Sequence, residues 1–262
     1  APDTFALRGA RSPAYAADGR LAVSIDGDLL VQVAANGRWV RVTSGPAWDR
    51  DPAWTRDGTA LVFSSDRGGN FDLWRLRVNG GGASGEPERI TNTPEDESAP
   101  SLAPDGAIAF VRGYGSTARI WIRSADGAEK RFTNRAQTEL APAYSPDGSR
   151  IAYVHQNESG RRLLVRVTGA TRDSVVNADR GVERLAWSPV GDRLVFSATG
   201  GGGGVFVTPI HGRYVNLVAT ARGDVAWSPD GRSIAVAEHD VVTVGYNGDP
   251  DRLGERVAAE SF

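Results

Sequence analysis

Short apolar runs alternate with polar turns along this chain, and the runs recur in one fixed order six times. Each copy opens on an apolar–aromatic pair, passes a turn signal that closes on glycine, and continues into an alternating apolar run. The copies read Pro-Ala-Tyr-Ala-Ala-Asp-Gly at 13–19, Pro-Ala-Trp-Thr-Arg-Asp-Gly at 52–58 and Pro-Ser-Leu-Ala-Pro-Asp-Gly at 100–106. They continue with Pro-Ala-Tyr-Ser-Pro-Asp-Gly at 142–148, Leu-Ala-Trp-Ser-Pro-Val-Gly at 185–191 and Val-Ala-Trp-Ser-Pro-Asp-Gly at 225–231. The glycines stand 39, 48, 42, 43 and 40 residues apart. A period of about 40 residues built from short strands means radial repetition, one propeller blade per repeat.

The fourth copy shows the unit. Residues 141–145 make a short apolar strand, and Ser145-Pro146-Asp147-Gly148 is a type I turn signal. Residues 150–155 and 162–167 alternate as strands, with a turn at 157–160, and residues 174–177 supply a fourth strand. In the first copy Asp26-Gly27 joins two apolar runs, a strong hairpin signal. The endings Arg41-Val42-Thr43, Arg89-Ile90-Thr91 and Arg131-Phe132-Thr133 match in register. No segment carries an uninterrupted helical period. The predicted fold is all-β: one six-bladed propeller of four-stranded antiparallel blades over 1–262. The blades are expected at about 11–50, 51–98, 99–140, 141–183, 184–223 and 224–257, with 1–10, and Thr4–Arg8 in particular, as a ring-closing strand.

Tyr15, Trp54, Leu102, Tyr144, Trp187 and Trp227 occupy one equivalent position. A glycan platform would expose such rings. Burial is worth several kcal/mol per side chain, so the better expectation is that each ring packs into the next blade.

Ser-Pro-Asp-Gly followed by Arg150-Ile151-Ala152-Tyr153, with the Arg-x-Thr ending, resembles the TolB-type propeller repeat, over roughly residues 11–257. The resemblance implies a six-bladed propeller. Similar repeats occur in periplasmic TolB, in the propellers of prolyl-oligopeptidase-like peptidases and in certain pectin-degrading lyases. The first repeat begins at about residue 11, so the chain is expected to be the propeller alone, without the α/β domain that precedes it in TolB.

Composition narrows the class. The chain has 262 residues, a net charge of −2 from 30 basic and 32 acidic residues, and no cysteine or methionine. It has neither the basic field nor the folded motifs of a nucleic-acid binder. No stretch approaches the ~18 apolar residues of a membrane span. The start at Ala1 and the lack of cysteine predict a periplasmic or otherwise extracytoplasmic protein after signal cleavage. Lys130 is the only lysine against abundant arginine, which suggests a GC-rich bacterial genome.

Candidate chemistry is sparse. His155, His211 and His239 fall in different blades without ligand spacing, and are expected to be satisfied strand or surface histidines. The glycine runs 80–82 and 200–204 lead into no phosphate-binding helix. No catalytic set, cofactor site or metal site is predicted. One constellation recurs: Asp49, Glu97 and Glu139 lie three residues before the repeat's proline, with Val182 and Arg222 in the fifth and sixth copies. They precede the innermost strand, so a partly acidic rim at one channel mouth is expected. One reading makes them solvated loop charge bonded to neighbouring amides. The other makes them, with Trp48 beside Asp49, a partner-binding rim for a basic segment, with room for a cation. The sequence therefore points to a non-catalytic interaction module, an accessory subunit docked through a protein partner on an envelope membrane complex. Two other readings compete: a lyase or glycan hydrolase that uses the same carboxylates, and a sensor of a small ligand in the channel.

Overall fold

A computed structural model describes residues 9–33, 37–176, 181–200, 203–211, 215–238 and 241–246. Six antiparallel sheets stand around one axis, each in simple sequential order outward. The first contains Arg11–Tyr15, Leu21–Ile25, Asp28–Gln32 and Trp39–Arg41. The second contains Asp49–Trp54, Ala60–Ser65 and Asp72–Asn79, with Gly82–Ala83 and Glu88–Arg89 both paired to Asp72–Asn79. The third is Glu97–Leu102, Ile108–Arg112, Arg119–Arg123 and Glu129–Arg131. The fourth is Thr138–Tyr144, Arg150–Asn157, Gly160–Val167 and Asp173–Val176. The fifth is Val182–Trp187, Arg193–Ala198, Gly204–Pro209 and Asn216–Ala219. The sixth shows three strands among the described residues: Asp224–Trp227, Ser233–Ala237 and Val241–Gly245.

The turns form as their residues dictate. In the fourth blade Gly148 N–H donates to Ser145 O at 2.8 Å, while Ser145 Oγ donates to Asp147 Oδ1 at 2.6 Å and accepts from Arg150 N–H at 2.9 Å. Gly148 has φ +72°, and a Cβ there would lie 2.9 Å from Pro104 Cδ of the preceding blade. The glycine thus serves both the turn and blade-to-blade packing. At the Asp26-Gly27 hairpin both residues have positive φ, 51° and 88°, as a type I′ turn requires.

Blades stack through apolar faces. Trp54, Tyr144, Trp187 and Trp227 are buried, and Tyr15 is largely so. Their direction differs from the sequence expectation: Trp187 Nε1 donates to Ala143 O at 2.9 Å and Trp54 Nε1 to Ala14 O at 3.1 Å. These two rings therefore reach back into the preceding blade, where the innermost strand supplies the acceptor that a buried indole N–H needs, whereas the buried Trp227 Nε1 has no acceptor among the described residues. The innermost strands touch in a closed cycle, with Arg11–Tyr15 against Asp224–Trp227. The ring-closing strand expected at Thr4–Arg8, like His239, lies outside the described residues. Burial of Trp187 predicts that Trp187→Ala costs about 3–5 kcal/mol, read as a lowered midpoint in chemical denaturation. A shift below about 1 kcal/mol would contradict its place in the core.

Candidate functional site

Asp49, Glu97 and Glu139 do not form an exposed rim. They are 1%, 0% and 0% exposed, and they begin or nearly begin the innermost strands of blades two, three and four. Each backbone N–H is taken up by the preceding blade: Asp49 by Gly27 O at 2.7 Å, Glu97 by Phe71 O at 2.6 Å, Glu139 by Ala118 O at 3.1 Å. The carboxylates are also engaged. Arg67 holds both Asp49 oxygens at 2.7–2.8 Å. Glu97 accepts from Thr91 Oγ at 2.7 Å, from Thr93 and from Arg112 Nε at 2.7 Å. Glu139 accepts from Thr133 and, at 3.4 Å, from the Ile120 N–H. The endings Arg89-Ile90-Thr91 and Arg131-Phe132-Thr133 thus carry the threonine that grips the next blade's carboxylate, whereas the Asp49 carboxylate is held by Arg67 of its own blade. A buried carboxylate without donors is strongly destabilising, so these residues are inter-blade latches and not a docking rim.

Burial pushes the carboxyls of Glu97 and Glu139 above the ordinary range, although their threonine partners, Arg112 at Glu97 and the Ile120 N–H at Glu139 pull the other way. Asp147, by contrast, is solvated in its turn and held down at about 2 by Ser145 and Ser149.

Trp48, adjacent to Asp49 in the chain, is 55% exposed. Its N–H donates to Asp66 Oδ1 at 2.7 Å, and its ring lies over Gly27, where a Cβ would come within 3.3 Å of Cε3. Strand order puts this loop on the face where the innermost strands begin, together with the turns between second and third strands. Tyr114, 85% exposed, lies in one of those turns and was not singled out from the sequence. Val190, in a Ser-Pro-type turn, marks the opposite face.

The sequence reading also missed the axial ring. Two residues past the latch position, the innermost strand bulges at the step before the proline. Ser12, Asp51, Ala99 and Ala141 there adopt φ between +48° and +53°. Proline has no N–H to lose from the ladder, so it tolerates the bulge, yet a left-handed residue before it costs about 1–3 kcal/mol. These four, with Arg184 and Asp224, line an axial cavity of about 110 Å³. Ser12 N–H donates to Asp224 Oδ2 at 2.8 Å and Ser12 Oγ to Asp51 Oδ1 at 2.9 Å. Arg184 Nε pairs with Asp224 Oδ1 at 2.8 Å, and Ala99 N–H reaches Asp51 Oδ2 at 3.3 Å. Enclosure works against the Arg184 charge, but Asp224 and Asp51 outweigh it and hold the guanidinium ionised. Comparing the repeats at this one position would have exposed the series Ser, Asp, Ala, Ala, Arg, Asp.

His155 departs from its expectation as well. It is buried, its Nδ1 has no partner among the described residues, and burial and then Arg135 lower its pKa. Among the described residues no group of three His, Cys, Asp or Glu is placed to hold a metal.

Against known proteins, the chain is 39% identical over 74 residues to the Tol-Pal system protein TolB of Francisella tularensis subsp. tularensis, a match over 27% of this chain and 16% of that protein. It is 30% identical over 118 residues to the uncharacterized peptidase YuxL of Bacillus subtilis, covering 40% of this chain and 17% of that one. A solved putative TolB from Agrobacterium tumefaciens superposes with a TM-score of 0.73 at 22% identity, over 86% of this chain and 87% of its own. The repeat is of the TolB type. The same fold is shared by the gluconolactonase XC5397 of Xanthomonas campestris, with TM-score 0.70 at 15% identity over 91% and 87% of the two chains. No protein-family model matches the chain. The curated relatives are matched over less than a fifth of their length. The likeness therefore establishes the TolB-type propeller and leaves activity and partners to be argued from this chain.

The latch chemistry of this TolB-type propeller yields a pH prediction. The folded state raises the Glu139 pKa, so its contribution to stability is fullest below about 4.3 and is lost as pH rises through the raised value. Wild-type stability minus that of Glu139→Gln should accordingly increase as pH falls from 7 to 4. Asp147 has the opposite sign: its contribution is present above about 3.9 and is lost as pH falls toward 2, so the difference from Asp147→Asn should shrink over that window. Denaturation series across pH check both signs.

Proposed function

We propose that this protein is a non-catalytic interaction module acting outside the cytoplasm, docked on a partner protein of an envelope or membrane complex. The observation that carries this reading is the exposure of two large aromatic side chains, Trp48 and Tyr114, on one loop face of the disc. Tryptophan and tyrosine dominate the energetics of protein interfaces. Trp48 is anchored by Asp66 and rests on Gly27, so little freedom is left to lose on binding. The local identity to a Tol-Pal system protein supports an envelope assembly as the setting. The carboxylates an enzyme would draw on are already committed, Glu97 and Glu139 to the threonines of the preceding blades and Asp49 to Arg67 of its own blade. Among the described residues no helix is long and apolar enough to cross a membrane.

Photo-crosslinking residues placed at 48, 114 and 190 in the source cell's envelope test the proposal. Adducts to a common protein are expected from 48 and 114 and not from 190. Trp48→Ala should then weaken purified partner binding at least tenfold, as a hot spot of about 2 kcal/mol does, with the thermal midpoint unchanged. Adducts from 190 alone would move the interface to the opposite face, and an unchanged affinity would remove Trp48 from it.

A further inference from the structure

The axial ring retains hydrogen-bonding capacity on two opposite sides. Arg184 uses Nε on Asp224 and reaches the Glu183 carbonyl with Nη1 only at 3.4 Å, which leaves Nη2 without a partner among the described residues. Its side chain is half exposed although it stands inside the ring. Asp51 stands three blades away, across the axis. Each of its oxygens accepts one hydrogen bond, from Ser12 or from Ala99, with Arg50 Nε a further 3.8 Å from Oδ2, and each carboxylate oxygen can accept two. The cavity between them holds about 110 Å³, several times the ~10–15 Å³ that admits one water. Towards blades three and four its wall consists of small apolar side chains, Ala99, Pro100, Ala141 and Pro142.

The charge pattern selects the ligand. A simple anion drawn to Arg184 would meet Asp51 and Asp224. A simple cation drawn to Asp51 would meet Arg184. A molecule carrying both charges satisfies both sides with charge-assisted bonds. We propose that the axial cavity is a binding site for a small zwitterion of the free amino-acid class, its carboxylate on Arg184 and its ammonium on Asp51. Ala99 and Ala141 leave room for a small side chain and exclude a large one. The left-handed residues at Ser12, Asp51, Ala99 and Ala141 hold the wall in one shape before the ligand arrives. The site is independent of the loop-face aromatics, so each proposal can fail without the other.

Titration calorimetry of the whole protein, with glycine, alanine, tryptophan, acetate and methylammonium as probes, provides the test. Glycine or alanine should bind saturably, and acetate, methylammonium and tryptophan at least about tenfold more weakly, because each loses a charge-assisted bond or does not fit. Arg184→Gln and Asp51→Asn should each weaken binding by about tenfold or more. Ala141→Leu fills the cavity without altering a charge and should abolish binding, with a thermal melt confirming that the variant folds. Absence of saturable binding up to about 10 mM overturns the proposal, as does equal affinity for the single-charge probes or undiminished binding by the folded Ala141→Leu variant.

Discussion

The disc depends on how the first residues of each innermost strand join the blade behind. At three consecutive junctions a buried acid gives its N–H to the preceding blade's carbonyl: Asp49 to Gly27, Glu97 to Phe71 and Glu139 to Ala118. For Glu97 and Glu139 the preceding blade answers with a terminal threonine hydroxyl, Thr91 or Thr133. Sheets that pack only through apolar faces could slide, since such contacts are not directional. A buried, fully bonded acid fixes one position, because every displacement would leave a charge or an N–H unsatisfied.

The remaining junctions are tied differently. At the latch position blades one and five carry Ala10 and Val182, both fully buried and without a side chain able to bond. There the polar ties move inward to the axis: Arg184 to Asp224 joins blades five and six, and Ser12 to Asp224 closes blade six on blade one. One half of the disc is therefore latched near its loop face, with Asp51 adding axial ties to Ser12 and Ala99, and the other half is latched at the axis itself. The polarity of the axial cavity follows from this division of structural work.

A disc locked in this way has little freedom to move, which suits display more than catalysis by closure. Its exposed aromatics and its axial charges lie on different parts of one rigid frame. A partner on the loop face and a small molecule at the axis would each meet a preformed surface. The strain held before Pro13, Pro52, Pro100 and Pro142 persists because the surrounding strands over-determine it.

The blade was legible in the sequence because its signals are local. Ser145-Pro146-Asp147-Gly148 closes its own hydrogen bonds within six residues, and Asp26-Gly27 sets its own backbone angles. Six such units at a near-constant spacing determined the propeller, and the recurring aromatic position determined where its core lies. The site was not legible in the same way. Sequence spacing gathered Asp49, Glu97 and Glu139 correctly at one level of the ring, yet whether an acid there faces water or a threonine of the blade behind is decided by stacking. It also could not show that Ser12, Asp51, Arg184 and Asp224, from four separate repeats, would meet at one cavity. Local hydrogen bonding wrote the blade into the chain, whereas burial and juxtaposition around the axis exist only once the six blades close.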